Sequence, residues 1–175
     1  MKKLILGSAI VAVLGVASNA MAANSGTVKF TGSVSTATCN LNVKDSAGSD
    51  ISAVDLGSVA TNAASGTVVS FKLIPKEADC LTKAGASMSW TSSTLNATGL
   101  GNSATNGTNA VMTLMATNAT ATDKNVKQGN TTFDYNVTGG IKSFDYSAAL
   151  AKPNATTAFT AGLFSASANY TVAYK

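Results

Sequence analysis

The 175-residue chain contains no histidine and no arginine, one glutamate (Glu77), one tryptophan (Trp90), two prolines and two cysteines. Catalysis near neutral pH needs a group that holds and releases a proton there, so the lack of imidazole excludes Ser-His-Asp and Cys-His machinery. No lysine stands three residues after a serine, and the Ser-Lys alternative therefore lacks its spacing. Asp45, Asp50 and Asp55 are five apart and match no calcium loop, while zinc would find only two thiols. Glycine-rich phosphate loops and basic-aromatic stripes for nucleic acid are missing as well. The composition argues against an enzyme and predicts no cofactor, no metal and no nucleic-acid partner.

What is present begins with a leader. Met1-Lys2-Lys3, the apolar run Leu4 to Val16 and Ala20-Met21-Ala22 are the three parts of a secretory signal. The run is shorter than the roughly 20 residues that span a bilayer. Residues 1–22 are read as the signal peptide and Ala23 as the start of the mature chain. Losing Lys2 and Lys3 leaves ten lysines against eight acids, so the net charge falls from +4 to about +2. Export into an oxidising compartment, with no third cysteine and no C-x-x-C spacing, predicts a structural disulfide between Cys39 and Cys80.

The mature sequence is rich in Thr, Val, Ser, Gly and Asn, and its apolar residues recur at every second position, the period of half-buried strands. "GTVKFTGSV" places Gly26, Val28, Phe30, Gly32 and Val34 on one face. "VVSFKL" does so with Val69, Phe71 and Leu73, and "FDYSAAL" with Phe144, Tyr146, Ala148 and Leu150. Further strands are predicted at Ser35 to Val43, Ile51 to Val59, Ala86 to Thr91, Val111 to Thr117 and Phe133 to Val137. Short strands divided by turn residues predict an all-β antiparallel sandwich. Between Ser92 and Ala110 only Leu95 and Leu100 are large and apolar, which predicts a long, tolerant surface connection.

Chain ends are ordinarily polar and loosely ordered. Here the last residues alternate strictly, with Phe164, Ala166, Ala168, Tyr170, Val172 and Tyr174 on one face and a lone Lys175 to finish. Together with Cys39, a second cysteine about forty residues later and Gly162 fourteenth from the end, this pattern resembles the chaperone-usher pilins, subunits of adhesive fimbriae on enteric Gram-negative bacteria. "TATCNL", "VDLGSVA", "GTVVSFKLIPK", "ADCLTKA", "SFDYSAAL" and "AGLFSASA" are similar to the major subunit of fimbriae carried by enterotoxigenic strains.

The resemblance implies an incomplete immunoglobulin-like sandwich lacking its final strand, completed by a donated strand. It implies residues 23–35 as donor segment, with Gly26, Val28, Phe30, Gly32 and Val34 as the inserted positions, and 36–175 as the pilin domain. Gly162, Phe164, Ala166, Ala168, Tyr170, Val172, Tyr174 and Lys175 would form the groove wall and the anchor for a periplasmic chaperone. Identical or related subunits, that chaperone and an outer-membrane usher are the implied partners, and a cell-surface fimbrium reached through the periplasm is the implied location. The competing reading of Gly26 to Val34 is the first strand of its own sandwich. A second functional reading is a lectin that binds a host glycan receptor, with Trp90, Lys124, Lys127 and Lys152 as candidate contacts; each has a plainer reading, as a core residue or a solvated lysine.

Overall fold

The twofold period becomes ten strands in a computed structural model that describes residues 26–32 and 39–175. In chain order they are β1 (Gly26–Gly32), β2 (Leu41–Asp45), β3 (Ala53–Asp55), β4 (Val69–Pro75), β5 (Gly85–Thr91), β6 (Leu100–Gly101), β7 (Val111–Ala116), β8 (Thr132–Asn136), β9 (Phe144–Ala151) and β10 (Phe164–Tyr174). They form two five-stranded sheets, ordered β3-β1-β10-β5-β8 and β2-β4-β9-β7-β6, and the fold is an all-β, immunoglobulin-like sandwich. Every pairing between these strands is antiparallel except that of β1 with β10. The predicted signal peptide and Val34 lie outside the described residues. Among those described, no helix is long and apolar enough to cross a membrane.

Alternation in sequence turns into alternation in burial because successive strand side chains point to opposite faces. In β10 Phe164, Ala166, Ala168, Tyr170 and Val172 are buried and the residues between them are exposed. β5 buries Ala86, Met88 and Trp90, and β8 buries Phe133 and Tyr135 by the same rule. Facing them, the second sheet contributes Phe71, Leu73, Met112, Leu114, Phe144, Tyr146 and Leu150. Each such side chain gains about 1.5–3 kcal/mol from leaving water.

One polar chain crosses this core. Trp90 Nε1 donates to the Tyr146 hydroxyl at 3.0 Å, and that hydroxyl donates to Met88 Sδ at 3.0 Å. With the Tyr146 proton spent on sulfur, Tyr135 supplies the proton of the 2.6 Å bond between the two phenols. The network ties β5 and β8 of one sheet to β9 of the other. Burial pushes both phenols well above their ordinary value near 10. A folded pKa raised in this way contributes stability that is whole below pH 10 and is lost as pH rises beyond it. Tyr146→Phe is expected to cost about 1–3 kcal/mol, since two buried donors lose their acceptor. Urea unfolding followed by Trp90 fluorescence measures it, and an unchanged midpoint would contradict the account.

Cys39 and Cys80 form the predicted disulfide, with their Cα atoms 6.0 Å apart and both side chains buried. Cys80 opens the 3-10 turn Cys80–Thr82. A second clasp lies beside the bridge: the Glu77 carboxylate accepts the Asn40 backbone N–H and the Asn40 side-chain N–H₂, both at 2.8 Å. Those bonds hold the Glu77 carboxyl below its usual range. The one glutamate of the chain therefore fastens the disulfide loop.

Candidate assembly site

β10 is the longest strand, and one of its edges is filled from within the domain along its whole length. Asn169 to Tyr174 pair with Ala86 to Thr91 of β5, and the Lys175 N–H donates to Gly85. Upstream of that pairing the segment between Ser92 and Ala110 takes over. Ser92 Oγ donates to the Ser167 carbonyl at 2.7 Å, and both the N–H and the hydroxyl of Ser103 donate to the Ser165 carbonyl. The Thr108 N–H donates to the Leu163 carbonyl at 3.1 Å.

Asn102 is the centre of this stitching. Its Nδ2 donates to the carbonyls of Thr108 and Leu163, both at 2.8 Å, and its Oδ1 accepts the N–H groups of Ala104 and Ser165, both at 2.9 Å. One amide thus satisfies four backbone groups. Gly162 sits where the two segments touch most closely. Its φ of +148° is one that side chains rarely adopt, and a Cβ there would lie 2.6 Å from the Thr108 nitrogen and 2.7 Å from the Gly107 carbonyl carbon. The glycine fourteenth from the end therefore seats the start of β10 against the Gly107–Thr108 backbone. Asn102→Ala is expected to lower stability by about 2–4 kcal/mol, from the net loss of several hydrogen bonds. Amide exchange at Leu163 to Ser167 should accelerate first, and uniform exchange across the domain would contradict the local role.

The other edge of β10 carries β1. The pairing is parallel and runs through seven residues: Gly26 opposite Phe164, Val28 opposite Ala166, Phe30 opposite Ala168 and Gly32 opposite Tyr170, with the odd residues between. On its far side β1 has only three antiparallel pairs, Thr27, Val28 and Lys29 with Asp55, Val54 and Ala53. The position beside the C-terminal strand is thus held by the chain's own N-terminal segment. Beyond the end of β1, Val172 is buried, and Tyr174 lies half-buried with its ring 6.1 Å edge-on from Phe144. Burial pushes the Tyr174 phenol up to about 12, and its hydroxyl has no hydrogen-bond partner among the described residues. Lys175 Nζ reaches across β5 to Asp134 of β8 at 2.9 Å, which holds the Asp134 carboxyl below its ordinary value.

The remaining sheet edges are poor templates for another chain. β3 and β6 have three and two residues. The β8 carbonyl of Asp134 accepts the Thr120 N–H, and the β2 carbonyl of Val43 accepts the Ile51 N–H. Short or covered edges suppress unwanted strand addition. β10 stands out as the long strand whose outer neighbour is a tethered segment.

The candidate glycan contacts fall in three places. Trp90 is 1% exposed and packed against Tyr146 and Tyr170, so it has no face to offer a sugar and is a core residue. Lys127 pairs with Asp123 at 2.8 Å, and Lys124 Nζ donates to the Thr117 carbonyl at 2.8 Å. The Lys127 ammonium and the bonds from Asn125 hold the Asp123 carboxyl at about 2. Lys152 follows β9 and is half-buried. Among the described residues no three His, Cys, Asp or Glu side chains are grouped as metal ligands. Asn102 and Gly107 went unnoticed in the sequence. Their segment is Asn- and Gly-rich throughout, and no local pattern marks which asparagine meets β10.

No family model matches the chain. It is 37% identical to the K99 fimbrial protein of Escherichia coli over an alignment of 184 positions covering 99% of both chains. With a paired-cysteine β-sandwich, an alternating C-terminal strand and end-to-end identity at that level, the chain belongs to the family of fimbrial subunits that includes the K99 fimbrial protein.

Proposed function

We propose that the chain is the major structural subunit of an adhesive fimbria, polymerising by donor-strand exchange, and that its work is assembly and attachment to host cells rather than catalysis. Residues 23–35 are the donor segment and 36–175 the acceptor domain. The observation that supports this reading most is the place of β1: a terminal segment, laid parallel in sheets that are otherwise antiparallel, along the one long strand edge of the domain. β10 is held independently by β5 and by the stitching from Ser92 to Thr108, so the sandwich keeps a formed slot when β1 is replaced. Any strand that fills the slot completes the ladder beside Phe164 to Tyr170; on this reading donor positions such as Val28 and Phe30 each add about 1.5–3 kcal/mol on burial.

On this reading a periplasmic chaperone lends the strand first, holding the Lys175 carboxylate, and an outer-membrane usher exchanges it for the segment of the next subunit. Attachment falls to surface loops, and of the residues considered for glycan contact Lys124, Lys127 and Lys152 remain in the proposal. The test is deletion of residues 24–34 behind an intact signal peptide. The shortened chain should accumulate in the periplasm with its chaperone and form no fibres by itself. Normal fibres from the shortened chain alone would overturn the reading.

A further inference from the structure

The segment stitched to the start of β10 contains a dipeptide with a chemistry of its own. Of all the asparagines in the chain, Asn106 is the one followed by glycine. It is exposed and stands third in the turn 104–107, which closes with the Gly107 N–H donating to the Ala104 carbonyl at 3.2 Å. Its φ is +54°, and among the described residues it is the only one other than glycine in the left-handed region, where asparagine is tolerated better than most side chains. Gly107 is fixed by packing, since a Cβ there would collide with the Asn102 Nδ2 and the Leu163 carbonyl oxygen. The fold therefore calls for an Asn-Gly pair at this point.

The backbone nitrogen after an asparagine can attack the side-chain amide carbon, and a glycine, having no Cβ, hinders that approach least. Every other described asparagine precedes a residue with a Cβ. Asn102, followed by Ser103, shows how the fold can also lock such a pair. Its amide bonds four backbone groups, and the Ser103 N–H donates to the Ser165 carbonyl at 2.7 Å, so neither reactant is free to move. At Asn106 the side chain is exposed and one longer hydrogen bond restrains the nitrogen, which local opening of the turn releases.

We infer that Asn106 is a self-modification site, converted in the folded protein to isoaspartate with water as the only co-reactant, and that the conversion unfastens the start of β10. The Gly107 nitrogen loses its proton to solvent base and bonds to Asn106 Cγ. The Cγ–Nδ2 bond breaks, the leaving nitrogen takes up a proton and departs as ammonia, and a cyclic imide remains. Water opens the imide at Cγ to give aspartate, or at the backbone carbonyl carbon to give isoaspartate; nothing is oxidised or reduced. In isoaspartate the main chain runs through Cβ and Cγ and is one atom longer. That atom enters immediately before Gly107, at its closest approach to Asn102 and Leu163, and beside Thr108, whose N–H and carbonyl both belong to the stitching. The turn widens and those bonds part. Nothing in this chemistry requires strand donation.

The test is to age the purified mature chain at mildly alkaline pH and map the conversion of each asparagine by peptide mass spectrometry, with isoaspartyl methyltransferase labelling to separate the two acids. Residue 106 should convert first, mainly to isoaspartate, and faster as pH rises. Another asparagine converting first, or an amide intact at 106 after a synthetic peptide of residues 102–110 has converted in full, overturns the inference. Amide exchange reads the structural effect. In the isoaspartate fraction the N–H groups of Ala104, Thr108 and Ser165 should exchange about two- to tenfold faster, the range for one net hydrogen bond each, while Asn169 to Tyr174 keep their protection. Freshly made Asn106→Asp adds the charge without lengthening the chain and should exchange like the unaged protein; equal acceleration there overturns the unfastening by a longer main chain. Asn106→Gly keeps a residue suited to positive φ and removes the amide, so on ageing it should gain no acid at that position and keep its protection. Loss of protection in Asn106→Gly at the pace of the unaltered chain overturns the inference as well.

Discussion

Replacing Gly32 with leucine is expected to abolish fibres while the subunit is still exported, still oxidised and still captured by its chaperone. Gly32 is opposite Tyr170, a buried aromatic residue of β10, and on the donor-strand reading proposed above a leucine at that position would have to pack beside that ring at every junction. Overfilling a packed site costs about 1–3 kcal/mol, a factor of roughly 5 to 150 at each junction, and a fibre repeats that cost at every subunit. On the reading proposed above, a chaperone would fill the slot of the subunit without using that subunit's own donor segment, so the early steps should be spared. Electron microscopy of cells, with immunoblotting of the periplasm, reads both steps. Loss of the subunit from the periplasm, with normal fibres from what survives, would place Gly32 in the folding core instead of the junction.

Replacing both Cys39 and Cys80 with alanine has the largest expected effect on stability. The bridge spans 41 residues of sequence and joins the start of β2 to the turn before β5. Releasing a loop of that length returns about 4 kcal/mol of chain entropy to the unfolded state. For a domain of this size that loss lowers the melting temperature by roughly 8–16 °C. The Glu77–Asn40 clasp lies at the same junction and is exposed, so it should not hold the loop by itself. Calorimetry of the self-closed monomer tests this, and a fall of less than about 3 °C would contradict the entropic account.

Much of this architecture is legible in the sequence because a two-residue period leaves a strong mark. β4, β5, β7, β8, β9 and β10 stand where alternating Val, Phe, Met, Tyr and Leu predict strands. The pairing of cysteines follows from number and compartment alone. Other features leave no such mark. A period of two has no arrow, so the parallel placement of β1 on β10 could not be read from "GTVKFTG". The Ser92–Ala110 stretch reads as a tolerant surface connection, yet Leu100 is fully buried and Asn102 ties the nearby Thr108 carbonyl to the distant Leu163 carbonyl. Its order comes from hydrogen bonds to backbone far along the chain, and composition is blind to those. Trp90, a candidate for sugar contact by residue type, belongs to the core because its strand phase matches Met88 and Ala86.

The most direct test of polymerisation by strand donation separates the two halves of a junction. One variant keeps its N-terminal segment but has its slot filled by a second copy of residues 24–34 joined after Lys175 through a flexible linker, and can only donate. The other lacks residues 24–34 and can only accept. Mixed after release from the chaperone and examined by native mass spectrometry, they are predicted to form a one-to-one complex that grows no further, while neither assembles alone. No complex on mixing, or multimers from the acceptor by itself, would contradict the account.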